Sequence, residues 1–157
     1  IPEEKFDFSF NKLCLEVKSS ASESRIHHFS SGQLNPTNDT EIIIASILVI
    51  SNVAGYSIND LLSSINKKLN NFPKQKEKLH LLVYSTLGVD IERVNQIKFD
   101  LEFAKNSLHF YQSTNIPKIQ DTNIPLEVSN LKFVSDLVNS TPIDFGLDEL
   151  IKPHINE

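Results

Sequence analysis

The chain has 157 residues, 20 Asp+Glu against 15 Lys+Arg, and a formal net charge of -5. With 39% hydrophobic and 22% charged residues, it reads as a globular domain with a core of its own, neither disordered nor membrane-embedded. The acidic balance excludes a protein that holds nucleic acid by bulk charge alone, but not one with a basic patch beside an acidic metal centre.

The first predicted element is a β-hairpin over residues 5–19. Phe6, Phe8 and Phe10 alternate with Asp7 and Ser9, Asn11-Lys12 supply a polar turn, and Leu13, Leu15 and Val17 resume the period of two. Residues 19–40, rich in Ser, Asn and Asp, read as loop, with one short helical turn within Phe29 to Leu34 stopped by Asn35-Pro36. Glu41 to Ser51 (EIIIASILVIS) is a β-branched run suited to a central strand covered on both faces. Its apolar part, broken by Ser46, is far shorter than the ~20 residues of a membrane span.

Gly55 closes that unit. Ser57 is placed to cap a helix, with Asp60 three residues on, and Ile58, Leu61, Leu62, Ile65 and Leu69 recur at helical spacing. Asn70-Asn71-Phe72-Pro73 breaks the helix. A second, from Lys74, turns Leu79, Leu82 and Val83 inward and ends at Gly88. Alternation returns at Ile97, Phe99, Leu101 and Phe103, and with Leu108 and Phe110 it predicts a second hairpin. Pro117 and Pro125 mark an irregular connection, 128–137 a last strand, and 148–151 a terminal helical turn. The order predicts an α/β or α+β sheet protein. The expectation is a single domain over 1–157, with its core in 5–70 and a helical and hairpin extension in 71–157.

The informative residues lie in the first hairpin. Glu16 and Lys18 share one face of a strand while Leu15 and Val17 point into the core. A carboxylate and an ammonium thus interrupt an apolar pattern, and such breaches gather at functional sites. About a turn at Asn11-Lys12, Asp7 lies opposite Glu16, within ~4.5–5.5 Å at Cβ. Two carboxylates that close repel unless a proton or a divalent cation neutralises them. Hard oxygen ligands with open positions suit Mg²⁺, and a neighbouring lysine helps orient water and offset phosphate charge. By spacing alone, a surface ion pair worth about 0.2–1 kcal/mol accounts for Glu16 and Lys18 more readily. A second E-x-K, Glu3-Glu4-Lys5, has no upstream Asp and carries no weight. The single Cys14 excludes a disulfide framework and a Cys-rich zinc site.

The segment FDF…LCLEVKSS resembles the PD-(D/E)XK nuclease superfamily, which has a restriction-endonuclease-like core. Arg25 to Pro36 (RIHHFSSGQLNP) resembles a bacterial group of PD-(D/E)XK motif proteins. Gly55-Tyr56-Ser57, Thr86-Leu87-Gly88, Phe99-Asp100, Leu108 to Tyr111 and Ile116-Pro117 extend the resemblance over most of the chain. It implies a mixed β-sheet flanked by helices and an Mg²⁺- or Mn²⁺-dependent DNA endonuclease of a restriction or phage-defence system. Such a protein would act in the cytoplasm on DNA, as a homodimer or with other defence subunits, and without a membrane. In that resemblance Asp7, Glu16 and the backbone carbonyl of Val17 hold the metal, Lys18 serves the attacking water, and Gln33 supports the site.

Ser19, Ser20, Arg25, His27 and His28 follow the lysine and are candidates for contact with nucleic acid, the alternative being a polar loop. As neighbours on an extended segment, the two histidines face opposite ways, so at most one faces the site. Lys67 and Lys68 open a basic run through Lys78, which reads as a phosphate-tracking surface or as a solvated helix face. Two departures stand out. Phe6 replaces the proline that names the motif, and the superfamily fold opens with a helix that often carries a supporting Glu. The chain starts at Ile1 and contains no Met, which predicts a piece of a longer protein without that helix. The competing function is a nuclease-derived module that binds DNA or a protein without cutting.

Overall fold

The alternating hairpin forms in the predicted register: β1 (Phe8–Phe10) and β2 (Leu13–Ser20) pair antiparallel, with Phe8 opposite Leu15 and Phe10 opposite Leu13. The structure is a computed structural model that describes residues 5–36, 39–90 and 95–155; Glu3 and Glu4 of the second E-x-K lie outside them. Its contacts divide the chain into two units, Ile1–Leu48 with Ala104–Glu157, and Val49–Phe103.

The first unit is built on a mixed sheet. The β-branched run becomes β4 (Glu41–Leu48), parallel to β2 with Glu16 beside Ile44 and Lys18 beside Ser46. β7 (His109–Gln112) pairs antiparallel with the far side of β4, giving the order β1-β2-β4-β7. Alternation sends Ile42 and Ile44 to one core, with Phe29, Leu34, Tyr111, Ile116 and Leu137. Ile43 and Ala45 go to a second core on the other face, with Leu13, Leu15, Phe110 and Leu150. Each fully buried Ile or Leu there contributes roughly 1.5–3 kcal/mol. A strand covered on both faces is what the uninterrupted apolar run predicts. Leu150 belongs to helix α5 (Leu147–Ile155), which extends the predicted terminal turn. Leu34 ends the one-turn helix α1 (Ser31–Leu34), close to where the short helical turn is expected. A mixed sheet flanked by helices is the expected restriction-endonuclease-like class.

Two expectations for this unit are corrected. Val17 does not point into the core with Leu15: it is 39% exposed, and the second core stops at Leu15. The segment read as loop contains a strand, β3 (Ile26–Ser30), paired antiparallel with β8 (Lys132–Asp136) so that Ser30 faces Lys132. Its pattern is inverted, because His27 and Phe29 are buried while Ile26 is exposed. A periodicity search that places polar residues outside therefore misses it.

In the second unit, Ser57 ends β5 (Ser51–Ser57) and caps α2 (Ile58–Lys68). Its hydroxyl accepts the Asp60 N–H at 3.2 Å, and the Asp60 carboxylate accepts the Ser57 N–H at 2.9 Å. These reciprocal bonds satisfy two backbone donors and fix the helix start. α3 (Pro73–Leu87) begins on Pro73 and ends at Gly88, whose φ of 49° a side chain would disfavour. Gly55 does not close a strand but lies within β5. Leu79, Leu82 and Val83 are not buried: no residue of α3 is, and Leu82 is 43% exposed.

The predicted hairpin over 97–111 is also absent. β6 (Lys98–Phe99) pairs with β5, and Asp100 then starts helix α4 (Leu101–Ser107) by accepting the Phe103 N–H at 2.9 Å. Asp100 before Glu102 in the first turn and Lys105 in the last is a helix signal. The apolar alternation of Leu101 and Phe103 masks it.

Candidate active site

Strand geometry brings the sequence-predicted acid–lysine pair together. Residues two apart on β2 share a face, and Lys18 Nζ lies 2.7 Å from Glu16 Oε1. Glu16 is only 5% exposed. Gln33, in the first turn of α1, joins them: its Nε2 donates to Glu16 Oε1 at 2.5 Å, and its Oε1 accepts from Lys18 Nζ at 3.4 Å. The same Oε1 accepts the Ser30 N–H at 3.0 Å, so the cap that starts α1 also fixes the amide orientation. Lys18 Nζ sits 5.3 Å over the Phe29 ring, which holds the ammonium from below.

Asp7 precedes β1, and the β1–β2 register continued by one pair sets it opposite Glu16. Its Oδ2 accepts the Val17 N–H at 2.8 Å. N–H and C=O of one strand residue point to the same side of the strand, so the Val17 carbonyl opens toward Asp7.

Burial raises the Glu16 pKa above its ordinary 4.5; the Lys18 bond and charge pull it down, and the Asp7 charge pushes it up again. Two carboxylates and one ammonium therefore share a partly dry site in which more positive charge is favourable. The bonds to Val17, Gln33 and Lys18 engage Asp7 Oδ2 and Glu16 Oε1 and leave Asp7 Oδ1 and Glu16 Oε2 outside them, while the Glu16 carboxylate also accepts the Asp7 backbone N–H. Those two oxygens and the Val17 carbonyl are hard donors of the kind a divalent cation takes, so the residues fit Mg²⁺ or Mn²⁺. Among the described residues no three His, Cys, Asp or Glu side chains converge as a cage. The set would thus leave coordination positions open.

The remaining candidates separate. His27 is 2% exposed, its Nε2 lies 2.8 Å from Ser46 Oγ, and burial followed by the Arg25 and Lys18 charges lowers its pKa to about 4. It is a neutral interior group. His28 faces outward and lines a groove with Lys18 and Gln33. Arg25 donates two Nη1 bonds to Ser46, at 2.8 Å to its carbonyl and 2.9 Å to its hydroxyl, and Nη2 bonds the Ser107 carbonyl. Ser20 turns back on Ser22, 2.9 Å between hydroxyls, while Ser19 is exposed on β2. Lys67 and Lys68 belong to α2 in the other unit.

Sequence reasoning missed Ser46, which takes both the Arg25 and the His27 bonds at the centre of the sheet. Its signal was the one polar residue inside an apolar run. It also missed Lys132, which only the β3–β8 pairing brings to this face.

No curated protein and no solved structure matches the chain. A sequence-family profile does, over residues 1–138. By that match the chain belongs to the family described as "Putative PD-(D/E)XK family member (DUF4420)".

Proposed function

We propose that the chain is the nuclease domain of a metal-dependent DNA endonuclease, working in a restriction or phage-defence system inside the cell. The observation that carries the reading is the meeting of Asp7, Glu16, Lys18 and Gln33, in a chain that belongs to a PD-(D/E)XK family. Asp7, Glu16 and the Val17 carbonyl would hold Mg²⁺ or Mn²⁺. When bound, such a cation supplies Lewis-acid polarisation of a phosphoryl oxygen and neutralises the paired carboxylates.

Lys18 orients the attacking water and offsets charge that grows on the phosphoryl oxygens as the new P–O bond forms and the in-line P–O bond breaks. Gln33 holds Glu16 and Lys18 in one geometry, so little reorganisation is needed during reaction. Of the two histidines, His28 lines the Lys18 groove and supports the phosphate, while His27 maintains the interior. Double-strand cutting usually takes two active sites, and the described residues hold one such set, so a second copy or another subunit would supply the other.

The test is nicking of supercoiled plasmid DNA in Mg²⁺ and in EDTA, with the chain in its natural full-length context. Asp7→Ala and Lys18→Ala should each lower the rate by at least about 100-fold, the scale of removing one preorganised charge. Unchanged nicking in either variant would overturn these assignments. A non-cutting binding module is the second reading, favoured by the 2.7 Å Lys18–Glu16 pair, which neutralises the carboxylate without a metal. Calorimetry separates them: Mg²⁺ binding that disappears in Asp7→Ala belongs to the nuclease, and no Mg²⁺ binding belongs to the module.

A further inference from the structure

Beside the Glu16–Lys18 pair lies an open groove of about 680 Å³, lined by Lys5, Lys18, His28, Asn130 and Lys132 around the α1 cap. Among the described residues its lining includes no carboxylate, in a chain where Asp and Glu outnumber Lys and Arg by 20 to 15. Three ammonium groups come to one surface from separate parts of the chain: ahead of β1, from β2 and from β8. We propose that this groove is the track on which a nucleic-acid strand lays its phosphodiester backbone, with Lys5 and Lys132 holding the phosphates that flank the one at Lys18. The direction of the track toward Lys18 rests on the nuclease reading; the anion-binding surface does not.

The lysines differ in what occupies them. Lys18 is paired with Glu16 at 2.7 Å. Among the described residues, Lys5 and Lys132 have no carboxylate within salt-bridge distance, and an ammonium without a counter-charge is open to an external phosphate. Both are also held in place. The Lys5 stem crosses Gly32, where a Cβ would come within 2.9 Å of its Cε, and its Nζ is 5.2 Å from the Phe6 ring centre. Lys132 is set by pairing with Ser30, the residue that caps α1. Asn130, at φ 55°, turns the chain into β8, and the Leu131 carbonyl accepts the Ser31 N–H at 3.0 Å. At about 680 Å³ the groove has room for more than one phosphate, which favours a polymer over a single phosphorylated small molecule.

The experiment is binding of a short fluorescein-labelled oligonucleotide by anisotropy, in EDTA so that no cutting occurs. Single-stranded and duplex DNA form separate arms, over about 50 to 200 mM salt. The proteins compared are wild type, Lys5→Ala/Lys132→Ala, and Lys67→Ala/Lys68→Ala. The groove variant should bind at least about ten-fold more weakly at low salt, with a salt slope shallower by roughly 1.4 for single strands or 1.8 for duplex. The Lys67/Lys68 variant should stay within about two-fold of wild type.

Any of four results overturns the proposal: no binding by wild type, unchanged binding by the groove variant, an equal or larger loss in the α2 variant, or full displacement by inorganic phosphate at the same charge concentration. All exchanged side chains are exposed, so an unchanged circular dichroism spectrum is expected alongside. Binding that survives while plasmid nicking fails removes the nuclease reading alone, and nicking that survives the groove exchange removes the track alone.

Discussion

Acidification should weaken the fold through a single buried side chain. In the native state His27 is neutral, because burial, then the Arg25 and Lys18 charges, lower its pKa from 6.5 to about 4. Unfolded, it titrates near its ordinary value, so between the two values the unfolded state binds more protons and stability rises with pH. The contribution is complete above the unfolded value of 6.5 and is lost as pH falls toward about 4. Between about pH 7.5 and about pH 5 the loss comes to roughly 2 kcal/mol, at about 1.36 kcal/mol for each ten-fold change in proton affinity.

Glu16 acts in the opposite sense. Its raised carboxyl pKa favours the folded state on the acid side and loses that contribution as pH rises. Urea unfolding of wild type and of His27→Gln at both pH values separates the two groups, since Glu16 is common to both proteins. Wild type should lose about 2 kcal/mol more than the variant on acidification. Equal losses would show that folded His27 takes up a proton as readily as the unfolded chain does, and the burial argument would be refuted.

Two further substitutions probe the frame. Gln33→Ala removes the amide that serves Glu16, Lys18 and the Ser30 N–H. It should cost about 1–3 kcal/mol and lower the thermal midpoint by several degrees, an unchanged midpoint showing that the amide does not hold the site. Gly55→Ala would drive a Cβ into the Phe99 carbonyl oxygen. That should open the β5–β6 pairing at a cost of about 1–3 kcal/mol, read as faster amide exchange in this ribbon than in β2 or β4. Exchange that is unchanged at Ser57 and Phe99 would contradict the close approach.

Much of this protein is legible locally. The period of two in 6–17 specifies the hairpin and its register, and therefore the opposition of Asp7 and Glu16, because a two-residue turn leaves a single pairing. Ile42 to Ala45 announce a strand buried on both faces, and Ser57, Asp60, Pro73 and Gly88 announce the limits of α2 and α3. The signals are reliable because each is a neighbour effect: a cap, a fixed φ, or side chains alternating across one strand. Where two local signals compete, the stronger bond decides, as when the Asp100 cap makes a helix of an alternating run.

Tertiary structure decided the rest. Nothing in 26–30 identifies His27 as the buried histidine and His28 as the open one, since that depends on which face of β3 packs against the core that holds Phe29, Ile42 and Ile44. Whether Glu16 and Lys18 formed a surface ion pair or a buried cluster was equally open in the sequence. Gln33 had to arrive from α1, and the surrounding elements had to cover Glu16, before the pair became a buried cluster. Bringing Lys132 to Lys18 likewise required strand pairing between segments roughly a hundred residues apart, a contact that loop closure permits but no local propensity encodes. The hairpin's register was thus written in the sequence by itself, whereas the burial of Glu16 came only from the elements folded over it.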